Sequence, residues 1–175
     1  MSTLKPNTIL WRTVVGSHMW GMNHAGSDVD LFQCYVAPTR DILRGENRGG
    51  GCHFTQDKAK DPPEDLQNHE IGKWIDMLIK GNVNYYWGVF SPLVQEARIA
   101  PSGMFEPDRT FLSYLRGIVR GQPTKAIYHS TKGLAMSNMK DVQTDERWHD
   151  PRWRRKKLNI IYRTVKFADG WKKMA

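Results

Sequence analysis

The first 36 residues contain two short segments rich in apolar and β-branched residues, separated by a turn. The first segment, residues 8–15, stops at Gly16, which predicts a strand that enters a tight turn. The second segment, residues 28–36, ends just before Pro38, where a strand is expected to stop. Between them one or two helical turns fit, and Gly21 keeps any helix there short. The chain therefore begins with a strand, a turn and a second strand.

Two aspartates, Asp28 and Asp30, lie two positions apart at the start of the second predicted strand. Residues two apart in an extended strand point to the same face, about 7 Å apart at the backbone. Like charges held this close repel each other unless a cation neutralises them. Oxygen-only ligands favour a hard ion such as Mg²⁺ or Mn²⁺, so the pair predicts a divalent metal site.

The turn at Gly16 and Ser17 supplies the second half of the predicted site. Glycine lets backbone amides approach a ligand closely, and Ser17 adds a hydroxyl donor near a helix N-terminus, which together favour phosphate binding. A phosphate site beside a metal site is the arrangement that nucleotidyl transfer requires. His18 and Ser27 flank the same predicted pocket, and we expect both to contact phosphate.

The order and spacing of these residues resemble the signature of the DNA polymerase β-like nucleotidyltransferase superfamily, in which an apolar strand and Gly-Ser or Gly-Gly precede Asp-x-Asp. Residues 16–22 and 26–30 are similar to its RNA repair pathway (RlaP-type) branch, as is, more loosely, the stretch 80–84. The resemblance implies an α/β (α+β) fold with a mixed sheet, followed by a C-terminal helical region. It also implies transfer of a nucleoside monophosphate from an NTP with Mg²⁺ or Mn²⁺.

The resemblance further implies a third carboxylate, supplied by a later strand. Asp65 is the favoured residue, since it lies just before the helix that contains Lys73, in the register where the family places its acid. Glu70 is the alternative, although a favourable interaction with the helix N-terminus explains Glu70 equally well. The predicted catalytic and metal-binding residues are therefore Asp28, Asp30 and Asp65.

Apolar residues at helical spacing predict several helices after the strands. The first of these helices is predicted to begin after Asn68, which would serve as its N-cap, and to end before Gly81. Two more are predicted over residues 110–120 and 123–136, and the last begins near Pro151. The predicted apolar face of this last helix consists of Leu158, Ile161, Tyr162, Val165 and Ala168.

Two segments are predicted to be irregular. Residues 44–63 are rich in glycine, aspartate, lysine and proline, which favours a loop or a long irregular hairpin. The acidic residues 141–150 indicate a connecting loop. We divide the chain into a nucleotidyltransferase core, residues 1–95, and a helical region, residues 96–175, that completes the cleft.

Charge indicates a polyanionic partner. Lys and Arg total 26 and Asp and Glu total 18, a formal net charge of +8, which favours RNA, DNA or a nucleoside triphosphate, although such an excess also serves solubility alone. The basic residues 152–157, with Trp148 and Trp153 beside them, either track an RNA backbone and stack a base, or form a solvated helix face with aromatic anchors. The alternatives for a triphosphate contact are Lys125, Lys132, Lys157 and Arg163, of which Lys157 enters the predicted nucleotide site.

RNA is the preferred acceptor, on charge and on the resemblance. One alternative keeps the chemistry and changes the acceptor to a partner protein, as in antitoxin-type members, or to a small molecule. Another is a non-catalytic RNA-binding module with the same fold. The two cysteines show no zinc or disulfide spacing, and no apolar export or membrane segment is visible, so we expect a cytoplasmic protein.

Overall fold

The strands form one five-stranded mixed sheet in a computed structural model that describes residues 8–45, 52–99, 110–121 and 124–174. The strands in these ranges are β1 (Thr8–Val14), β2 (Val29–Val36), β3 (Cys52–Asp57), β4 (Glu64–Glu70) and β5 (Val94–Ala97). The α-helices are α1 (Gly16–Met19), α2 (Thr39–Leu43), α3 (Ile71–Ile79), α4 (Val83–Phe90), α5 (Phe111–Arg120), α6 (Thr124–Thr144) and α7 (Pro151–Met174). A turn of 3-10 helix covers Glu146–His149.

Strand β2 lies at the centre of the sheet, whose order is β3-β4-β2-β1-β5. It runs antiparallel to β1 and parallel to β4, and β3 and β5 pair antiparallel at the two edges. Five successive residues of β2, from Leu31 to Tyr35, are buried. Burial on both faces explains why four of these five residues are apolar rather than alternating with polar ones. The exception, Gln33, donates a hydrogen bond to Asn68 of β4 at 3.1 Å. The predicted mixed sheet with a C-terminal helical region is confirmed.

The chain divides into two compact units. The first comprises Met1–Met77 and Asn84–Val119 and contains the sheet, and the second comprises Leu78–Val83 and Arg120–Ala175 and contains the long helices α6 and α7. Within the second unit α6 and α7 pack against each other. The predicted division at residue 95, with a cleft completed by the helical region, stays a prediction. Every helix in the described ranges is too short or too polar to span a bilayer.

An aromatic cluster forms the core beside the sheet. Trp74 of α3 is fully buried, and its ring lies 5.1 Å from that of Trp11, 4.4 Å from that of Phe32 and 5.0 Å from that of Tyr85, between centroids. Its indole N–H donates to the carbonyl of Gln33 at 3.3 Å, which satisfies the one polar atom of the side chain. One helix residue thus joins β1, β2 and α4.

Two predictions about element ends were wrong. Asn68 lies inside β4, because parallel pairing with β2 extends the strand as far as Glu70, and Glu70 instead accepts a hydrogen bond from the Gly72 N–H at 2.6 Å. Helix α6 continues through residue 141 to Thr144, where a loop was predicted; its Asp141 pairs with Lys157 of α7 at 2.6 Å.

The predicted apolar face of α7 was also wrong in part, since Leu158, Tyr162 and Val165 are exposed. Of the predicted irregular segment, residues 46–51 lie outside the described part, while residues 52–57 form β3 and pair with β4 as a hairpin. The short elements α2, α4 and β5 had no counterpart among the sequence predictions.

Replacing Trp74 with alanine is expected to lower the free energy of unfolding by about 3–5 kcal/mol, because it empties the centre of the aromatic cluster. Its neighbour Ile75 on the same helix is half exposed. Ile75→Ala is the matched control and should cost less than about 1 kcal/mol. Urea unfolding of the two variants measures the difference, and equal losses would contradict this description of the core.

Candidate active site

The carboxylates of Asp28, Asp30 and Asp65 lie together at one end of β2 and β4. Each offers an oxygen, and these three oxygens lie within 4.8 Å of one another. Asp28 is exposed, and Asp30 and Asp65 are half-buried. In the described ranges this is the one group of three or more side chains placed to share a metal ion.

The sheet register explains why these three residues meet. Asp30 and Asp65 are directly paired across the parallel strands β2 and β4, which places them about 4.8 Å apart and on the same face. Asp28 precedes the first residue of β2 and is two positions from Asp30, so it lies on that side as well. The pair was expected from its spacing alone, whereas the third member depends on the pairing of two strands distant in sequence.

The donor set fits a hard divalent cation. Three negative charges at this distance repel one another, and carboxylate oxygens are the ligands that Mg²⁺ and Mn²⁺ prefer. Oδ1 of Asp65 is buried and has no hydrogen-bond partner among the described residues. A buried carboxylate oxygen without a partner is unfavourable, and a cation at the shared position would satisfy it.

The turn after β1 lies directly against the carboxylate of Asp30. Gly16 has φ +64°, a left-handed conformation that favours glycine, and a Cβ built there would overlap Oδ2 of Asp30 and lie 2.7 Å from its Cγ. The Val15 N–H donates to the Asp30 carbonyl at 2.8 Å, which extends the pairing of β1 and β2 up to the turn. Glycine is therefore required here by both the backbone and the available space.

Ser17 and His18 follow Gly16 in the short helix α1, and Ser27 lies immediately before Asp28. The Nε2 of His18 is 3.5 Å from the carbonyl oxygen of Ser27. The Ser27 hydroxyl accepts a hydrogen bond from the His24 N–H at 2.9 Å, so it orders the loop that leads into β2. The structure brings His18 and Ser27 together, and their contact with phosphate stays a prediction.

Glu70 lies outside the carboxylate group. It is five residues beyond Asp65 on β4, an odd spacing that turns it to the other face, and its carboxylate is engaged with the Gly72 N–H. Burial, and secondly the charge of Glu70, raises the pKa of the Cys34 thiol, so Cys34 is a protonated core residue rather than a metal ligand.

Lys157 lies in the second unit, where its ammonium pairs with Asp141 at 2.6 Å and is 5.5 Å from the centroid of the Trp153 ring. The contact of Lys157 with the nucleotide therefore remains a prediction from the sequence.

Ser91 is a supporting residue that the sequence did not indicate. It is fully buried, and its hydroxyl donates to the Val14 carbonyl at 2.5 Å, at the last residue of β1. The Arg116 guanidinium in turn donates to the Ser91 carbonyl at 2.7 Å. These bonds fix the end of the strand just before Gly16, and no local pattern around Ser91 signals them.

Comparison with known proteins gave one match. The sequence model described as RlaP, RNA repair pathway DNA polymerase beta family, matches residues 2–165 of the 175. Searches of curated proteins and of solved structures found no match.

Gly16→Ala is expected to destabilise the protein more than Gly21→Ala. Both glycines have φ near +64°, so both variants incur the left-handed backbone strain of about 1–2 kcal/mol, but Gly21 has open space at its Cβ position whereas Gly16 faces Asp30. We expect an additional loss of about 1–3 kcal/mol for Gly16→Ala, measured by urea unfolding. Equal losses in the two variants would show that the turn does not press on Asp30.

Proposed function

The chain belongs to the RlaP family, the RNA repair pathway DNA polymerase β family, and we propose that it transfers a nucleoside monophosphate from an NTP to a hydroxyl group of RNA. The family supports the general assignment, a polymerase β-like nucleotidyltransferase of an RNA repair pathway. The observation that carries the proposed reaction is the group of three carboxylates, in which a buried oxygen of Asp65 has no partner and Asp30 lies against Gly16.

Asp28, Asp30 and Asp65 would hold Mg²⁺ or Mn²⁺. When bound, such ions neutralise charge on the phosphates and lower the pKa of a hydroxyl that they contact. Asp28 is the most exposed of the three, so we assign it to the side of the triphosphate.

We assign the carboxylate of Asp65 as the group that accepts the proton of the attacking hydroxyl. This side chain is half-buried and lies beside the two other carboxylates. As the hydroxyl oxygen forms its bond to the α-phosphorus, the bond from that phosphorus to the leaving oxygen breaks and pyrophosphate departs. The proton passes to the carboxylate in the same step.

The turn and the loop around it are assigned to the phosphates. The backbone at Gly16 lies against Asp30, and we assign the hydroxyl groups of Ser17 and Ser27 to contacts with the phosphates. The Nε2 atom of His18 lies 3.5 Å from the carbonyl oxygen of Ser27, so we assign His18 to the same phosphate contacts. Lys157 lies in the second unit, and its contact with the nucleotide stays a prediction from the sequence.

RNA as the acceptor is supported by the family and by the net charge of +8. A partner protein or a small molecule with a free hydroxyl would be served by the same carboxylates. A protein that binds RNA without catalysis is the third possibility, and the labelling experiment below separates all of them.

Incubation with α-labelled NTPs and Mg²⁺ is expected to label RNA and not added protein or small-molecule acceptors. Asp30→Asn should lower the rate by at least about 100-fold, because it removes one charge from the centre of the group. Asp41→Asn, on α2 outside the group, is the matched control and should label at the wild-type rate. Unchanged labelling by Asp30→Asn would exclude the proposed mechanism, and labelling of protein alone would change the acceptor.

Mn²⁺ affinity is expected to separate Asp65 from Glu70. Asp65→Asn removes a carboxylate from the group and should weaken Mn²⁺ binding by about 10-fold or more, measured by isothermal titration. Glu70→Gln makes the same chemical change on the same strand, and its amide oxygen can still accept from the Gly72 N–H, so Mn²⁺ affinity should stay as in wild type. The reverse result would make Glu70 the third carboxylate.

A further inference from the structure

One face of the second unit carries exposed aromatic and basic side chains. They lie on the 3-10 turn and along α7, and we call them the aromatic–basic stripe: Trp148, Arg154, Arg155, Tyr162 and Lys166. Trp148 is 42% exposed and Tyr162 is 63% exposed. Among the tryptophans, all of which the structure describes, Trp148 is the exposed one.

The stripe is continuous along the helix. Positions 154, 158, 162 and 166 are each four residues apart, so they follow one another on the same face of α7 over about 18 Å. Leu158, which lies between the two ends, is also exposed. Exposed aromatic, aliphatic and cationic side chains therefore share a surface of α7 that core packing does not use.

Each exposed ring has a cation beside it. The Arg154 guanidinium lies 5.8 Å from the centroid of the Trp148 ring, and the Lys166 ammonium lies 5.7 Å from that of Tyr162. Trp153 differs, since it is half-buried between Arg147 and Lys157 and belongs to the packing of the helix. Of the two interpretations that the sequence left open, an aromatic side chain that anchors the helix describes Trp153, whereas Trp148 is exposed.

The acids near the stripe are mostly engaged elsewhere. Three aspartates form ion pairs: Asp141 with Lys157, Asp145 with Arg147, and Asp169 with Lys173. The carboxylate of Asp150 accepts a hydrogen bond from the backbone N–H of Arg152 at 2.9 Å. Hydrogen bonds from the side chain and the backbone N–H of Arg147 lower the pKa of the Asp145 carboxyl to about 2, so this carboxyl is negatively charged at neutral pH.

Four cations at the start of α7 form no ion pair with any described residue: Arg152, Arg154, Arg155 and Lys156. Glu146, also exposed, is the remaining acid of this segment. The balance of charge at this end of the helix is strongly positive, and it is free to meet an external anion.

We propose that the aromatic–basic stripe is a binding surface for single-stranded RNA. Unpaired bases stack on exposed aromatic rings, and adjacent cations contact the phosphates, a combination that favours a single strand over a duplex whose base faces are covered. The inference rests on the proposed function only in the choice of RNA as the polyanion. Binding through the stripe needs neither an NTP nor a metal ion.

The test is the fluorescence anisotropy of a labelled single-stranded RNA, titrated with the full chain in EDTA and without NTP. Trp148→Ala should raise the Kd roughly 5- to 100-fold, and Trp148→Phe should retain most of the affinity. Tyr128→Ala, an exposed aromatic of α6, is the matched control and should leave the Kd unchanged.

A second pair of variants tests the cations. The double variant Arg154→Ala/Arg155→Ala should weaken RNA binding. Because it loses two phosphate contacts, the slope of log Kd against log salt concentration should fall by about 1.4. The double variant Lys140→Ala/Lys172→Ala removes the same charge from exposed positions on α6 and at the C-terminal end of α7, and it should keep the wild-type slope.

Wild-type affinity in both Trp148→Ala and the double arginine variant would overturn the proposal. The proposal would also be overturned if those variants kept the wild-type affinity for RNA but no longer sedimented with phosphatidylserine vesicles. That result would make the stripe a lipid-binding surface. Asp41→Asn, which lies outside both the stripe and the carboxylate group, should bind RNA as tightly as wild type. If the wild-type protein binds RNA through the stripe but shows no nucleotidyl transfer, the proposed function is contradicted and this inference stands. If Trp148→Ala and the double arginine variant bind RNA and transfer nucleotides like wild type, this inference is contradicted and the proposed function stands.

Discussion

The parallel pairing of β2 with β4 is the constraint on which the candidate site depends. It sets Asp30 directly opposite Asp65, and it fixes that register over seven residue pairs along a strand that is buried on both faces. A slip of one residue would turn every side chain of one strand to the opposite face. The register that buries Leu31 and Phe32 is therefore the same one that holds two carboxylates side by side.

Such an arrangement opposes stability in the absence of a cation, because three carboxylates within 4.8 Å repel one another. The surrounding structure supports the arrangement through apolar packing and directed hydrogen bonds. Trp74 packs on both β1 and β2, and Ser91 holds the end of β1 immediately before Gly16. Functional sites commonly combine a locally unfavourable cluster with a rigid scaffold in this way.

Sequence patterns predicted the parts of the site that are local. The period of two in a strand places Asp28 beside Asp30, and the stop at Gly16 predicts a turn that the structure shows against Asp30. Asp65 was favoured over Glu70 on the family resemblance, and the strand register now gives a physical reason why the two differ. No local signal pointed to Ser91, because its role arises from contacts between segments far apart in the chain.

The errors have a similar origin. Asn68 has the side chain of a helix cap, but its backbone pairs with β2, and tertiary pairing overrides that preference. The apolar residues of α7 follow helical spacing, yet Tyr162 and Val165 face outward, since periodicity shows which residues share a face and not whether that face is covered.

The most direct test of the metal-site assignment is a crystal structure of the protein soaked with Mn²⁺ and a non-hydrolysable NTP analogue, with anomalous scattering recorded for manganese. A manganese peak is expected within coordination distance of oxygens from Asp28, Asp30 and Asp65, about 2.0–2.3 Å, with the triphosphate beside the turn at Gly16. Manganese bound elsewhere, or a triphosphate remote from that turn with the three carboxylates apart, would contradict the account.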